Sequence, residues 1–146
     1  MTSVEIRPLP PEGRILPGDK TTLREWVLSA DPVAGTLTFT EDRPLLILPV
    51  RTLTFRLPSS GRADAVRTIC LAEYRWVENL QTGITQRLLF LDGNGRVLGS
   101  GRTRDEPKAS QMWPASLFTP LEPLGIPVTE ERHLSSKAFK QVHPEA

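Results

Sequence analysis

The chain lacks most features that mark specialised proteins. Its 146 residues include one cysteine, Cys70, so no internal disulfide can form and a zinc ribbon lacks thiolates. The apolar run at 45–50 is far too short to cross a membrane. The net charge of +1 gives no overall attraction to nucleic acid, and no signal-like segment opens the chain. We therefore expect a soluble, cytoplasmic protein with no membrane span and no nucleic-acid partner.

Histidine is equally scarce. His133 and His143 lie ten residues apart in a polar segment, and that spacing matches no zinc signature. The interpretation is two solvated surface histidines and no metal site. Cys70 stands between the apolar Ile69 and Leu71, which favours a buried core residue over a nucleophile because no base or positive charge adjoins it. We expect no catalytic residue and no cofactor, and therefore a protein that is not an enzyme.

Proline is absent from the middle of the chain. Fourteen prolines occur, but none lies between Pro58 and Pro107. Interior strands need every backbone N–H for hydrogen bonding, so this stretch is predicted to contain the paired centre of a sheet. Residues 1–20, by contrast, are rich in proline and glycine and are predicted to form an N-terminal arm.

What is present is a series of β-strand patterns. Alternation of apolar residues with threonine or arginine predicts half-buried strands around 36–40 and 52–57. A long β-rich segment covers 66–77, with further candidates at 23–28 and 43–48. Turn residues separate these runs, among them Gln81-Thr82-Gly83. Consecutive strands without intervening helices favour an antiparallel meander that closes into a barrel or packs as a sandwich.

The clearest local signal is a hairpin. Two apolar runs, 87–91 and 96–98, flank Asp92-Gly93-Asn94-Gly95. Glycine and asparagine tolerate positive φ, and Asp92 can accept hydrogen bonds from its own downstream backbone. The same residues fail as a calcium loop because Arg96 stands where an oxygen ligand is required. The segment is therefore predicted to be a tight turn between two strands.

The last third of the chain changes character. Pro114 suits the first position of a helix, a leucine stripe follows, and Gly125 suits its end, which together predict a short helix near 114–124. Residues 129–146 are mostly polar and are predicted to form a tail, with one or two helical turns at 135–142. The predicted organisation is one domain, 21–128, mainly β, closing into a small barrel with one short C-terminal helix.

The arginines carry the one functional signal in the composition. Five of them fall within residues 51–75, where only two acidic residues occur. Guanidinium groups bind phosphate or carboxylate through paired hydrogen bonds, so Arg56, Arg62 and Arg67 are the predicted ligand-binding residues. The competing interpretation is that these are solvated charges on strand faces, because arginine is frequent along the whole chain.

A resemblance can be stated on three short motifs. The hairpin 88–98, the Trp113-Pro114 dipeptide and the segment 124–128 are similar to uncharacterised actinobacterial proteins with a pleckstrin-homology-like domain. This resemblance covers roughly residues 50–128. It implies a small β-barrel of a bacterial protein that binds lipid headgroups, peptides or other proteins and seldom catalyses reactions.

Two functional hypotheses remain open. The first is a non-catalytic binding or assembly module that contacts another protein, or a second copy of itself, through a sheet edge or the C-terminal helix. The alternative is a binder of a small anion or phosphate-containing ligand, or a small enzyme, with an arginine-lined pocket.

Overall fold

The computed structural model describes residues 3–7, 26–41, 51–107 and 113–146. Within these residues lie eight strands, one α-helix and two 3₁₀ helices. The strands are β1 (Val4–Ile6), β2 (Trp26–Asp31), β3 (Thr36–Glu41), β4 (Arg51–Arg56), β5 (Thr68–Glu78), β6 (Gln81–Leu91), β7 (Val97–Pro107) and β8 (Val128–His133). The 3₁₀ helices are Pro58–Ser60 and Ala115–Leu124, and the α-helix is α1 (Ser136–Val142).

The strands form two four-stranded sheets. The first has the order β1-β2-β3-β4 and is antiparallel throughout. The second has the order β7-β6-β5-β8, in which β8 is parallel to β5 and the other pairs are antiparallel. The predicted mainly β, antiparallel fold with a short C-terminal helix is confirmed.

The two sheets do not close into the barrel that the meander predicted. A barrel would require β4 of the first sheet to pair along β5 of the second. Among the described residues, the backbone between these two strands forms instead an isolated bridge, between Arg56 and Ala65. The free edge of β5 is instead occupied by β8, with Ile69 opposite Val128. The C-terminal segment thus completes the second sheet, and the sheets pack face to face as a sandwich.

Turn chemistry explains two of the strand connections. At the predicted hairpin, the Asp92 carboxylate accepts hydrogen bonds from the backbone N–H groups of Asn94 and Arg96, both at 2.9 Å, and Gly95 has φ +77°. The hairpin is confirmed. The β5–β6 turn lies at Asn79 and Leu80, both with positive φ, whereas 81–83 belongs to β6. The turn predicted at 81–83 is therefore wrong by two residues.

An apolar core fills the space between the sheets. Its largest fully buried side chains include Trp26 and Phe39 from the first sheet, Phe90 from the second and Phe118 from the 3₁₀ helix. Phe90 lies 4.4 Å from Phe55 and 5.8 Å from Phe39 between ring centroids. Burial of such rings is the main term that holds the two sheets together.

The predicted helix near 114–124 is present as the 3₁₀ helix Ala115–Leu124. Pro114 precedes it with an extended backbone, and Gly125 ends it with φ +81° while donating to the Leu121 and Glu122 carbonyls. Pro120 and Pro123 lie inside it. Because proline has no backbone N–H to donate, these residues disfavour a regular α-helix, and the segment is a 3₁₀ helix instead.

The polar segment 129–146 is more ordered than its composition predicted. Val128–His133 forms β8, and Ser136–Val142 forms α1, which packs on the face of the second sheet that points away from the core. Within the predicted N-terminal arm, Val4–Ile6 pairs with β2. Residues 1–2 and 8–20 of that arm, the candidate strand at 43–48 and the start of the one at 23–28 lie outside the described residues.

No helix among the described residues is long and apolar enough to cross a membrane.

Candidate metal site

Strand alternation brings several chemically useful side chains to the outer face of the second sheet. Residues two apart on a strand share a face, so Glu131 and His133 of β8 lie on the same side. On β5, Cys70, Ala72 and Tyr74 occupy that side too, with Cys70 opposite Thr129 and Ala72 opposite Glu131. This outer face is separate from the core between the sheets.

The helix α1 brings a second histidine back to this face. Ser135 caps the helix by accepting a hydrogen bond at 3.1 Å from the Ala138 N–H, only two residues after β8 ends. The helix runs back over the outer face and buries Phe139. His143 follows as the C-cap, its backbone N–H donating to the Phe139 carbonyl. One short helix thus returns the chain to Glu131.

Both imidazoles meet the same carboxylate oxygen. The Nε2 atoms of His133 and His143 lie 3.1 Å and 2.7 Å from Oε2 of Glu131. One ligand atom from each of the three residues lies within 4.8 Å of the other two. The histidine side chains are only 11% and 12% exposed, whereas Glu131 is 37% exposed. The site is a shallow cluster with its two nitrogen ligands buried and its carboxylate open to solvent.

Phe139 forms the wall that holds the two imidazoles. Its ring centroid lies 5.5 Å from that of His133, edge to face, and 5.6 Å from that of His143. On its other side Phe139 stacks on Tyr74 at 4.9 Å, and the Arg87 guanidinium lies 5.8 Å from the Phe139 centroid. The histidine ring planes are nearly perpendicular, at 85°. The imidazoles are therefore oriented by packing rather than left free to rotate.

The electrostatics favour an ionised carboxylate beside a neutral thiol. Burial alone raises the pKa of Glu131, but hydrogen bonds from His143 and His133 outweigh it and lower the pKa below the ordinary value. Burial raises the pKa of Cys70 to about 11, the Thr129 hydroxyl opposes the rise, and the negative Glu131 adds to it. An ionised Glu131 is the state that binds a cation.

The three residues offer the ligand types of a divalent transition-metal site. Zinc binds imidazole nitrogen and carboxylate oxygen at roughly 2.0–2.2 Å, so ligand atoms around a tetrahedral ion lie about 3.3 Å apart. The two separations from Glu131, 3.1 Å and 2.7 Å, would have to lengthen slightly, and all three ligand atoms already lie within 4.8 Å of one another. Two imidazoles and one carboxylate leave at least one coordination position for water. The interpretation of His133 and His143 as solvated surface residues is wrong, because their side chains are mostly buried, whereas the prediction of no metal site stays a prediction.

The described cavities do not bring the three predicted arginines together. Arg56 lines a surface cavity of about 450 Å³ with Leu53, Phe55 and Asp64 among its neighbours. Arg62 donates to the Asp64 carboxylate at 3.1 Å, and Arg67 is exposed beside the β6–β7 turn, with Cγ 3.7 Å from a Cβ built on Gly93. Anion binding by these residues stays a prediction, and Asp64 supplies an internal partner that competes with an external anion.

A weak sequence signal for the cluster did exist. Glu131-x-His133 has the spacing of two residues on one strand face, and Ser135 is a good helix N-cap. The polar sequence of β8 concealed the strand, because Thr, Glu and Arg at 129–132 show no apolar alternation. Its strand conformation depends on pairing with β5, almost sixty residues earlier.

Comparison of the chain with protein-family models, with curated proteins and with solved structures finds no match.

Proposed function

We propose that this chain is a metal-binding module that binds one divalent transition-metal ion of the zinc class through Glu131, His133 and His143. The observation that carries the proposal is the convergence of both histidine Nε2 atoms on one Glu131 oxygen. His133 and His143 are the only histidines of the chain, and they come from different secondary-structure elements.

The ligand set determines which ions the site prefers. Imidazole nitrogen suits zinc, nickel, cobalt and copper, whereas magnesium and calcium prefer oxygen ligands and more of them. One carboxylate and two imidazoles therefore favour Zn²⁺ over Mg²⁺. Glu131 brings the one negative charge of the ligand set, and its exposure leaves the ion an entry path from solvent.

Binding would also fasten the end of the chain to the sheet. Glu131 and His133 belong to β8, and His143 ends α1, so an ion held by all three links strand and helix. An ion that binds only the folded chain stabilises it by mass action, by about 2.7 kcal/mol when free metal is 100 times Kd. The expected role is that of a non-catalytic binding module, and the contact with a protein partner stays a prediction.

Metal titration of the tag-free protein tests the proposal. Calorimetry with Zn²⁺ and the visible spectrum with Co²⁺ should show one ion per chain, and Mg²⁺ should not compete. Because no other histidine is present, His133→Gln and His143→Gln each remove half of the nitrogen ligands. Both variants, and Glu131→Gln, should weaken binding at least tenfold, an order-of-magnitude expectation for loss of a ligand.

Glu78→Gln is the matched control. Glu78 is an exposed carboxylate at the end of β5, so its neutralisation changes net charge as Glu131→Gln does without touching the cluster. Unchanged affinity in the control and weakened affinity in the three ligand variants support the proposal. No Zn²⁺ binding, or binding that survives His143→Gln unaltered, contradicts it.

A further inference from the structure

The helix that supplies His143 also covers an otherwise apolar surface. Beneath α1 lie Cys70, Ala72, Tyr74 and Leu89, all buried, and Phe139 is the helix residue that packs on them. Among the described elements, α1 contacts β5 and β8, and Ala146, which follows the helix, also packs against this cluster. The cover thus consists of one short helix and the segment that follows it.

That helix is held weakly by its own chain. Seven residues are too few for a stable isolated helix in water, and Phe139 is its one fully buried side chain. The remaining stability of the helix must therefore come from its packing against the sheet and from the contacts of His143. Local opening of such a segment costs far less than global unfolding.

A buried polar atom next to α1 is left unsatisfied in the closed state. Nε of Arg87 is buried and has no hydrogen-bond partner among the described residues, while its guanidinium lies near the Phe139 ring. An unpartnered buried donor opposes closure, and the contact of the cation with the ring offsets part of that cost. Opening of α1 would let water reach this atom. The unpartnered donor therefore lowers the free-energy cost of opening α1.

We infer that the metal ion of the proposed site controls whether α1 covers the outer face of the second sheet. The inference rests on the proposed function and extends it to regulation. Glu131 and His133 stay on β8 in either state, whereas His143 reaches them only when the helix is docked. An ion that requires all three ligands binds the closed state more tightly, and by linkage it shifts the population toward closure. Loss of the ion exposes the apolar face.

The single cysteine makes this opening measurable. Cys70 is 1% exposed beneath α1 and is the only thiol of the chain. Its alkylation by N-ethylmaleimide, followed by mass spectrometry, reports opening at one position. With Zn²⁺ at 100 times the measured Kd, the rate should fall up to about 100-fold, the limit reached when the open state binds no metal.

Two histidine variants separate closure from mere binding. His133→Gln keeps Glu131 on β8 and His143 on the helix, so metal at saturation should still slow the alkylation of Cys70. His143→Gln keeps both remaining ligands on β8, so bound metal should leave the rate unchanged. Equal slowing in both variants would overturn the inference.

Hydrogen exchange provides a readout that does not depend on the thiol. The amide of Phe139 donates to the Ser135 carbonyl, and that of His143 donates to the Phe139 carbonyl, so both should gain protection with Zn²⁺. The gain should persist in Cys70→Ser. If it vanishes there, Cys70 itself binds the metal and the inference is wrong.

The two proposals fail in distinguishable ways. Calorimetric binding without any change in alkylation or exchange overturns metal-controlled closure and leaves the metal site standing. The absence of calorimetric binding overturns both.

Discussion

The two faces of the second sheet are built on different physical terms. The inner face packs Leu71, Leu88 and Phe90 against the first sheet, with large apolar side chains fully buried on both sides. The outer face buries a thiol, an alanine and a tyrosine under one short helix, with histidines at the margin. Rigid packing on one face supports the fold, and the lightly covered face is free to carry chemistry and motion.

The largest effect is expected at Phe90, on the tightly packed inner face of the second sheet. Phe90→Ala removes a ring that contacts Phe39 and Phe55 and is fully buried, so it should lower the free energy of unfolding by about 3–5 kcal/mol. Urea denaturation followed by tryptophan fluorescence measures the loss. A smaller loss of unfolding free energy than in the outer-face variant Phe139→Ala would contradict the proposed difference between a rigid inner face and a lightly covered outer face.

Two glycines of β7 test how rigid the inner face is. A Cβ on Gly101 would lie 2.2 Å from the fully buried ring of Phe39, and one on Gly99 would lie 2.9 Å from the half-buried ring of Phe55. Phe39 has no room to move, so Gly101→Ala should cost about 2–3 kcal/mol, in the range of overpacked cores.

Gly99→Ala is the matched partner of that variant. Phe55 lies near the edge of the sandwich and can shift toward solvent, so the expected cost is below about 1 kcal/mol. The same urea titration compares the two variants. Equal losses of unfolding free energy in the two variants would mean that the ring of Phe39 shifts as readily as the ring of Phe55.

On the outer face, Phe139→Ala should cost less than its full burial suggests. Because α1 is a seven-residue helix that belongs to neither sheet, its detachment would leave the strand pairing intact, and the metal-free protein should lose about 1–2 kcal/mol of unfolding free energy. Amides of α1 should exchange freely while those of β5 and β6 keep their protection. Loss of protection throughout the second sheet would show that the outer face is part of the main cooperative unit.

The smallest expected effect is a pH dependence. In the metal-free protein the pKa of Glu131 is below its ordinary value of 4.5, so the ionised form stabilises the folded state above that pH. The contribution is lost as the pH falls through the lower folded-state pKa. Urea midpoints of wild type and Glu131→Gln should therefore converge on acidification below about pH 4.5. Divergence there would contradict the direction of the shift.

Local chemistry made part of the structure predictable. The Asp92–Gly95 turn, the alternating strands β3 and β4, and the helix bounded by Pro114 and Gly125 depend on contacts within a few residues. The proline-free centre likewise holds β5 and β6 and nearly all of β7. Such features follow from backbone preferences that act before any tertiary contact forms.

The partly predictable residues show where that reasoning stops. The arginine cluster was visible in composition, but only the fold places Arg56 in a cavity wall, pairs Arg62 with Asp64 and sets Arg67 beside a turn. The positions of these residues in the sequence do not predict which charged side chains become neighbours in the fold. The histidine pair shows the same limit: its spacing in sequence indicated two separate surface residues, but the fold brings both side chains to one carboxylate.

By itself the sequence determined a mainly β chain, its best hairpin and its proline-containing helix. The tertiary structure alone decided that β8 occupies the edge of β5, so that the sheets form a sandwich, and that α1 returns His143 to Glu131. The physical reason is that a polar strand such as β8 has little intrinsic preference for extension and acquires it from pairing with a buried neighbour. The cluster of Glu131, His133 and His143 forms only after that pairing, since its residues come from a strand and a helix that are ordered by the same sheet.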